Sequence, residues 1–328
     1  MTSTGPTGGT TSGLAYLPLD VRRLEPGEQV PFDLFVLTDK RYVLYRAATL
    51  PLSVKDLDDL KRRGHERFYV DASARKHMAR YFETRLAKEL RSEERSTEEK
   101  AEFLVEASRV IMEDVFENLE EPSTLEGVRL LAEQTVDFVA TGRRAFRRLV
   151  RLVSHDYYTY THSLHVGIYT IALGRQLGLS AEFQRKLGEG ALFHDIGKAL
   201  VPPEILTKPM PLTPDEWQVM KQHPQLGIDL LGAHGQVDEV TRWAILGHHE
   251  RMDGRGYPFG LSGEEIALPG RIVALADVYD ALTTNRPYQS AQKSFDALNV
   301  IKDHMLTGID RDLFRELVVL LARDDDLW

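Results

Sequence analysis

The sequence predicts a mainly α-helical protein, a helical bundle preceded by a small α+β module. Three observations carry this expectation. Strand-like alternation is confined to the first 70 or so residues, where Val30, Phe32, Leu34 and Val36 are apolar at every second position. From about residue 73 onward the apolar positions recur at helical spacing instead. Of the 11 histidines, eight fall between His155 and His249, where even scatter would place about three (11 × 95/328).

Length and composition set the bounds. A chain of 328 residues is expected to hold about two domains. Hydrophobic residues at 42% and charged residues at 28% describe an ordinary globular protein. A net charge of −9 argues against a sequence-independent polynucleotide binder, which needs a basic excess. It leaves room for a small anionic nucleotide, which needs only a local cluster of cations. The chain has no cysteine, which excludes thiolate metal sites and disulfides and fits a reducing cytoplasm. No basic stretch followed by an apolar core opens the chain, so no signal peptide is expected. The longest apolar runs, such as Leu317 to Ala322, are far below the roughly 20 residues that a membrane span needs. A cytoplasmic location is the resulting expectation.

Residues 1 to 13 are rich in Thr, Ser, Gly and Pro and read as a disordered tail. Residues 14 to 98 read as a regulatory or sensory α+β module with a helical linker. Thr38-Asp39-Lys40 is a turn between the alternating run and Tyr42-Val43-Leu44-Tyr45, so a hairpin is expected. Ser53 starts a helix, with Asp56 three residues on in capping-box position and Gly64 at its end. Phe68-Tyr69-Val70 is a further strand. Residues 73 to 98 read as helical and run into a charged linker, Arg91 to Lys100.

Residues 99 to 328 read as the catalytic domain, with a core at about 150 to 320. Its first helices, through Phe103, Leu104, Ala107 and Val110 and then Leu130, Leu131 and Val136, suit intrachain core, with a dimer surface as the competing reading. Arg143, Arg144, Arg147, Arg148 and Arg151 read as a solvated face before a nucleotide site. A long helix then carries His162, and Gly178 ends it. Thr213-Pro214-Asp215-Glu216 is a strong helix start that leads to His223.

The chemistry centres on Ala191-Leu192-Phe193-His194-Asp195-Ile196-Gly197-Lys198. Adjacent residues in a helix point about 100° apart, so from mid-helix His194 and Asp195 do not aim at one small ion. A metal pair suits them better, with the carboxylate bridging. His248-His249 needs the same treatment. Imidazole and carboxylate are ligands for Fe, Mn, Zn, Co or Ni.

These residues resemble a known family. His162, His194-Asp195 and Asp277 match the H…HD…D pattern of the HD superfamily of metal-dependent phosphohydrolases. His248-His249-Glu250 with Asp253-Gly254-Arg255-Gly256-Tyr257-Pro258 resembles the signature of its HD-GYP branch. So do Leu206-Thr207-Lys208-Pro209 and the stretch from Ala281 to Tyr288.

The resemblance covers about half the chain and implies an HD-type helical bundle. It implies a phosphodiesterase that hydrolyses the bacterial second messenger cyclic di-GMP to linear pGpG and on to GMP, through a hydroxide activated by two divalent metals, iron or manganese before other transition metals. It implies that one ion takes His162, His194, Asp195 and Asp277, and that the other shares Asp195 and takes His223, His248 and His249. Lys198 is implied to contact the scissile phosphate, with a structural salt bridge as the competing reading. Gly256, Tyr257 and Arg286 are implied to bind substrate. His165 falls where the family often has arginine and is not expected to be a ligand. Glu250 and Asp280 would orient imidazoles or serve structure.

Two departures from the family pattern bear on function. Tyr158 stands where some members have a glutamate for a third metal, which favours two. Gln289 replaces a common Lys or Arg, leaving Arg255 or Lys293 as substitutes. The competing reading is a catalytically weak cyclic di-GMP receptor that signals through its N-terminal module. A homodimer and a diguanylate cyclase (GGDEF) partner are the macromolecular contacts the resemblance leaves open. A phosphohydrolase for another cyclic nucleotide is the third reading.

Overall fold

The structure, a computed structural model, describes residues 15–153, 159–284 and 291–322. The expectations for the tail at 1 to 13, for Tyr158, for Arg286, Tyr288 and Gln289, and for the final acidic residues lie outside that range. The chain divides into two compact units, one ending at Lys88 and one beginning at Glu89.

The first unit holds a four-stranded antiparallel sheet of β1 (Tyr16–Asp20), β2 (Leu34–Thr38), β3 (Arg41–Arg46) and β4 (Arg67–Asp71), in the order β1-β4-β2-β3. Alternation sets its faces. Leu17, Leu19, Leu34, Val36, Phe68 and Val70 are buried on one side. On the other, Tyr16 stacks on Tyr42 at 4.0 Å and Tyr42 meets Tyr69 at 5.0 Å. The expected hairpin is β2–β3, closed at Asp39 and Lys40, both with positive φ as a two-residue loop of this hand requires. Val30 and Phe32 are buried but precede the strand. Helix α1 (Val54–Arg62) starts at the expected box: Ser53 N donates to Asp56 Oδ2 at 2.8 Å and Asp56 N to Ser53 Oγ at 3.2 Å. Helix α2 (Arg75–Arg91) buries Met78, Phe82 and Leu86 at four-residue spacing.

The second unit is helical in its described residues. It opens with α3 (Thr97–Glu117), α4 (Pro122–Ala140) and α5 (Arg143–Val153). These three pack on α6 (Thr159–Gln176), and α4 also packs on α7 (Ala181–Phe193), so this stretch is intrachain core. The arginines of α5 are not one solvated face. Arg143 is buried and donates to the Leu320 carbonyl, while Arg144 pairs with Glu98 and Arg148 with Glu102 on α3. A 3-10 turn (Ile196–Leu200) and the short α8 (Pro203–Leu206) come next. Then come α9 (Pro214–Met220), α10 (His223–Ala233), α11 (Glu239–Leu246), α12 (Leu268–Thr283) and α13 (Ser294–Val300). A π-helical turn (Ile301–Met305) leads to α14 (Arg311–Ala322).

Close crossings between helices position the histidines and carboxylates. A Cβ on Gly197 would lie 2.0 Å from the His223 carbonyl oxygen and 2.5 Å from the Gly227 nitrogen. The turn after the His194-Asp195 dyad therefore touches the backbone of α10. At the second crossing a Cβ on Gly247 would lie 2.9 Å from the Gly270 Cα. That contact brings the end of α11, with its histidine pair, against the start of α12, which carries Asp277.

Gly197→Ala is expected to destabilise the protein by about 1–3 kcal/mol, the usual cost of overpacking. Gly232→Ala, whose new methyl would meet nothing within 4 Å in a helix, is expected to stabilise by roughly 0.5–1 kcal/mol. Urea unfolding midpoints of the two variants, moving in opposite directions from wild type, check both.

Candidate metal centre and active site

The dyad does not sit mid-helix. Helix α7 ends at Phe193, His194 is its C-cap, and Asp195 takes φ −101° and ψ 5°. That break turns the carboxylate back toward the imidazole, and His194 Nε2 lies 3.4 Å from Asp195 Oδ2. The 100° divergence of neighbouring helical residues does not apply once the helix has stopped.

Asp195 then meets two sets of histidines with different oxygens. Its Oδ2 faces His194 and, at 3.8 Å, His162 Nε2. Its Oδ1 faces His223 Nε2 at 3.4 Å and His248 Nε2 at 3.8 Å. The donor atoms of Asp195, His223, His248 and His249 all lie within 4.8 Å of one another, as do those of His162, His194 and Asp195. Asp277 Oδ1 joins the second group, 3.2 Å from His162 Nε2. Seven side chains from five places in the chain are thus brought together.

The histidines are aimed by one repeated device. Each of His194, His223 and His248 places Nδ1 against the carbonyl three residues back, Ala191 at 2.7 Å, Met220 at 2.8 Å and Ile245 at 2.6 Å. A carbonyl oxygen only accepts, so Nδ1 carries the hydrogen and each Nε2 presents a lone pair. His223 and His248 bring two such lone pairs to 3.2 Å. His194 Nε2 and Asp195 Oδ1 are buried without a hydrogen-bond partner. Buried acceptors facing one another repel unless a cation lies among them. This donor set fits divalent metal ions.

Charge and burial divide the imidazoles. Burial lowers His223 to about 4, and burial lowers His249 to about 3 and His248 well below the ordinary value. All three are neutral, as ligation requires. Burial also opposes charge on His162, but hydrogen bonds to Asp277 and Asp280 outweigh it and push it up to about 10. Burial would raise the Asp195 carboxyl, yet the Lys198 ammonium and the charged His162 hold it well below the usual range.

The flanking residues have distinct tasks. Asp280 accepts from His162 Nδ1 through one oxygen and from His165 Nδ1 through the other, both at 2.6 Å. His165 is thereby tied to Asp280. Glu250 orients no imidazole among the described residues. Its carboxylate accepts from the backbone nitrogens of Phe259 at 2.7 Å, Gly260 at 3.1 Å and Leu261 at 3.0 Å, which ties down the loop after Pro258. Lys198 Nζ sits 2.6 Å from Asp195 Oδ2, so the salt bridge weighed from sequence is present.

Tyr257 lies over His249, ring centroids 4.6 Å apart and 30° between planes. A Cβ on Gly256 would lie 2.4 Å from the Glu250 Cα, so this glycine admits a backbone-to-backbone contact within the loop itself. Arg286 lies outside the described residues. Beside the centre lies a pocket whose lining includes Tyr257, Trp217 and Lys221 as well as Val278, Met305 and Ile309. Sequence reasoning passed over Trp217 and Lys221. Their spacing of four residues on the helix that leads to His223 was the available signal. Met305 comes from the π-helical turn, for which the sequence carries no marker.

Asp280→Asn is expected to weaken divalent-metal retention by roughly 10–100-fold, the usual cost of removing a carboxylate behind a ligating histidine; chelator competition measures it. The pH dependence of the metal-stripped chain is set by the shifts. His162, raised to about 10 from 6.5, contributes stability that is full below 6.5 and lost as pH rises toward 10. His223 and His249, lowered to about 4 and 3, contribute stability present above 6.5 and lost as pH falls through those values. Urea midpoints of the stripped protein are expected to peak near pH 6.5, and His162→Gln is expected to flatten the alkaline side.

The HD domain family model matches residues 138–313, more than half of the chain. A cyclic di-GMP phosphodiesterase of Pseudomonas aeruginosa is 46% identical over 154 residues, 47% of this chain and 37% of that protein. A cyclic di-GMP phosphodiesterase response regulator of Xanthomonas campestris is 50% identical over 120 residues, 36% of this chain and 32% of that protein. A 3'3'-cGAMP-specific phosphodiesterase of Vibrio cholerae is 39% identical over 160 residues, 49% and 35% respectively. The matches thus span about a third of these relatives' length. Among solved structures, an HDG"Y"P protein of Bdellovibrio bacteriovorus superposes with a TM-score of 0.66 at 21% identity, covering 93% of this chain and 99% of that one, which establishes the fold. With the family model matched over more than half of its length, this chain belongs to the HD domain family.

Proposed function

We propose that the chain is a metal-dependent phosphodiesterase that hydrolyses cyclic di-GMP to linear pGpG and then GMP. One observation carries the reading more than any other: His223 Nε2 and His248 Nε2 face each other at 3.2 Å with both Nδ1 atoms already committed to carbonyls. The relatives at 46% and 50% identity, both cyclic di-GMP phosphodiesterases, support the substrate. A cytoplasmic site of action suits a nucleotide second messenger.

His162, His194, Asp195 and Asp277 would hold one divalent ion, and Asp195, His223, His248 and His249 the other, iron or manganese in each case. When bound, such a pair supplies Lewis acidity toward water and toward the phosphoryl oxygens. Asp195 would be common to both positions, because its two oxygens face the two histidine sets. Lys198, held 2.6 Å from Asp195 yet 29% exposed, has a face free to neutralise charge on the scissile phosphate. Tyr257, fixed over His249, orients the ester, and Gly256 lets the loop fold tightly enough to put it there. Arg286 would add a guanidinium fork for phosphate.

Asp195→Ala is expected to lose both bound metal and at least 10³-fold in turnover, because it removes the ligand common to the two ion positions. Metal analysis of anaerobically purified wild type and variant, followed by chromatography of products, tests this. Undiminished hydrolysis by the variant would sink the reading. Tight binding of cyclic di-GMP without product by the metal-loaded wild type would make the chain a receptor instead.

A further inference from the structure

The pocket is lined in part by a cluster that the metal chemistry does not use. Trp217 and Lys221 lie four residues apart, in the middle of α9 and just beyond its end. The helix itself is well fixed. Thr213 and Glu216 form a capping box at its start, and Lys208 Nζ reaches Glu216 Oε1 at 2.7 Å. The Trp217 indole meets the Tyr257 ring edge-on, centroids 6.1 Å apart at 75°. Lys221 Nζ lies 6.0 Å from the centroid of Trp217 and 5.7 Å from that of Tyr257.

Three features distinguish this corner from ordinary surface. Tyr257 has one ring face taken by His249, whereas Trp217 keeps 42% of its surface exposed beside the pocket. Among the described residues no carboxylate pairs with Lys221, in a chain with nine more acidic than basic residues. The ammonium is held near two ring faces, as a cation–π contact holds it, with hydrogens left over for an anion. An exposed indole and an unneutralised ammonium, side by side on a rigid helix, match a planar base joined to a phosphate.

We propose that Trp217 and Lys221 form the subsite for the second nucleotide of the substrate, the half whose phosphate is not being cleaved. A purine stacks on the exposed indole, and Lys221 donates to that half's phosphate while the other phosphate lies at the metal centre. The inference rests on the phosphodiesterase reading and extends it. It makes a cyclic dinucleotide, rather than a simple phosphodiester, the ligand that the pocket as a whole is built to hold. It also places selectivity among cyclic dinucleotides on α9 as well as on the Gly-Tyr-Pro loop.

The test uses the whole 328-residue chain, manganese-loaded, and two esters, cyclic di-GMP and bis(p-nitrophenyl) phosphate, which has no purine and only one phosphate. For Trp217→Ala and Lys221→Gln, KM for cyclic di-GMP is expected to rise roughly tenfold, the scale of one stacked base or one charged contact, with kcat within about twofold. Trp217→Phe keeps a stacking face and is expected to recover most of the loss. The kcat/KM for bis(p-nitrophenyl) phosphate is expected to stay within about twofold in all three, which also reports that each variant is folded. Unchanged KM for cyclic di-GMP overturns the subsite, and so does a parallel loss on both esters, which would mark Trp217 and Lys221 as supports of the centre. A wild type that hydrolyses the small ester but not cyclic di-GMP fails the substrate reading and takes the subsite with it; one that hydrolyses both, with variants unaffected, fails the subsite alone.

Discussion

The Asp195 carboxylate is the interaction on which the rest of the site depends. One oxygen faces His162 and His194, the other faces His223 and His248, and Lys198 closes on it from the side. Burying an ionised carboxylate among four imidazoles is costly unless the surrounding charge compensates. Here the compensation comes from the Lys198 ammonium and the charged His162, strongly enough to keep the acid ionised despite burial. The orphaned Asp195 Oδ1 and His194 Nε2 show where hydrogen bonding alone does not complete the balance. A site left with unpaired acceptors at its centre is arranged for cations rather than for its own stability.

Holding that array demands close backbones. Side chains as short as histidine and aspartate converge on a few ångströms only if the elements that bear them nearly touch. Gly197 lets the turn after the dyad lie on the first residues of α10, and Gly247 meets Gly270 where α11 crosses α12. The hydrogen bonds from Nδ1 to the carbonyl three residues back then lock each ring against its own backbone. Asp280 does the same for His162 by way of a carboxylate, and in doing so engages His165 as well. Rigid ligands supported from behind are what a precise metal centre requires.

The pocket extends the same logic outward. Among the described residues Glu250 meets no imidazole and instead gathers three backbone nitrogens of the loop beyond Pro258, and that loop carries Tyr257 onto His249. The capping box and the Lys208–Glu216 pair fix α9, so that Trp217 and Lys221 stand at a set distance from the same tyrosine. Motifs that read as ligand-facing in the sequence thus prove to be partly devices for holding loops and helices in register.

By itself the sequence determined the division into a strand-bearing front and a helical back, because periods of two and 3.6 are properties of local chain geometry. It likewise determined the identity of the metal-site candidates, because imidazoles and carboxylates are scarce enough in apolar surroundings for their crowding to stand out. It was silent on the Trp217–Lys221 corner, since an aromatic and a lysine four apart on a polar helix are common and acquire meaning only beside Tyr257. It misjudged the dyad as mid-helix and left Glu250 open between an imidazole and a structural role, since neither a helix end at Phe193 nor three loop nitrogens around one carboxylate leaves a periodic trace. Only the tertiary structure decided that Asp195 turns one oxygen to each histidine set, because that depends on crossings between helices that are distant along the chain and in contact only after folding.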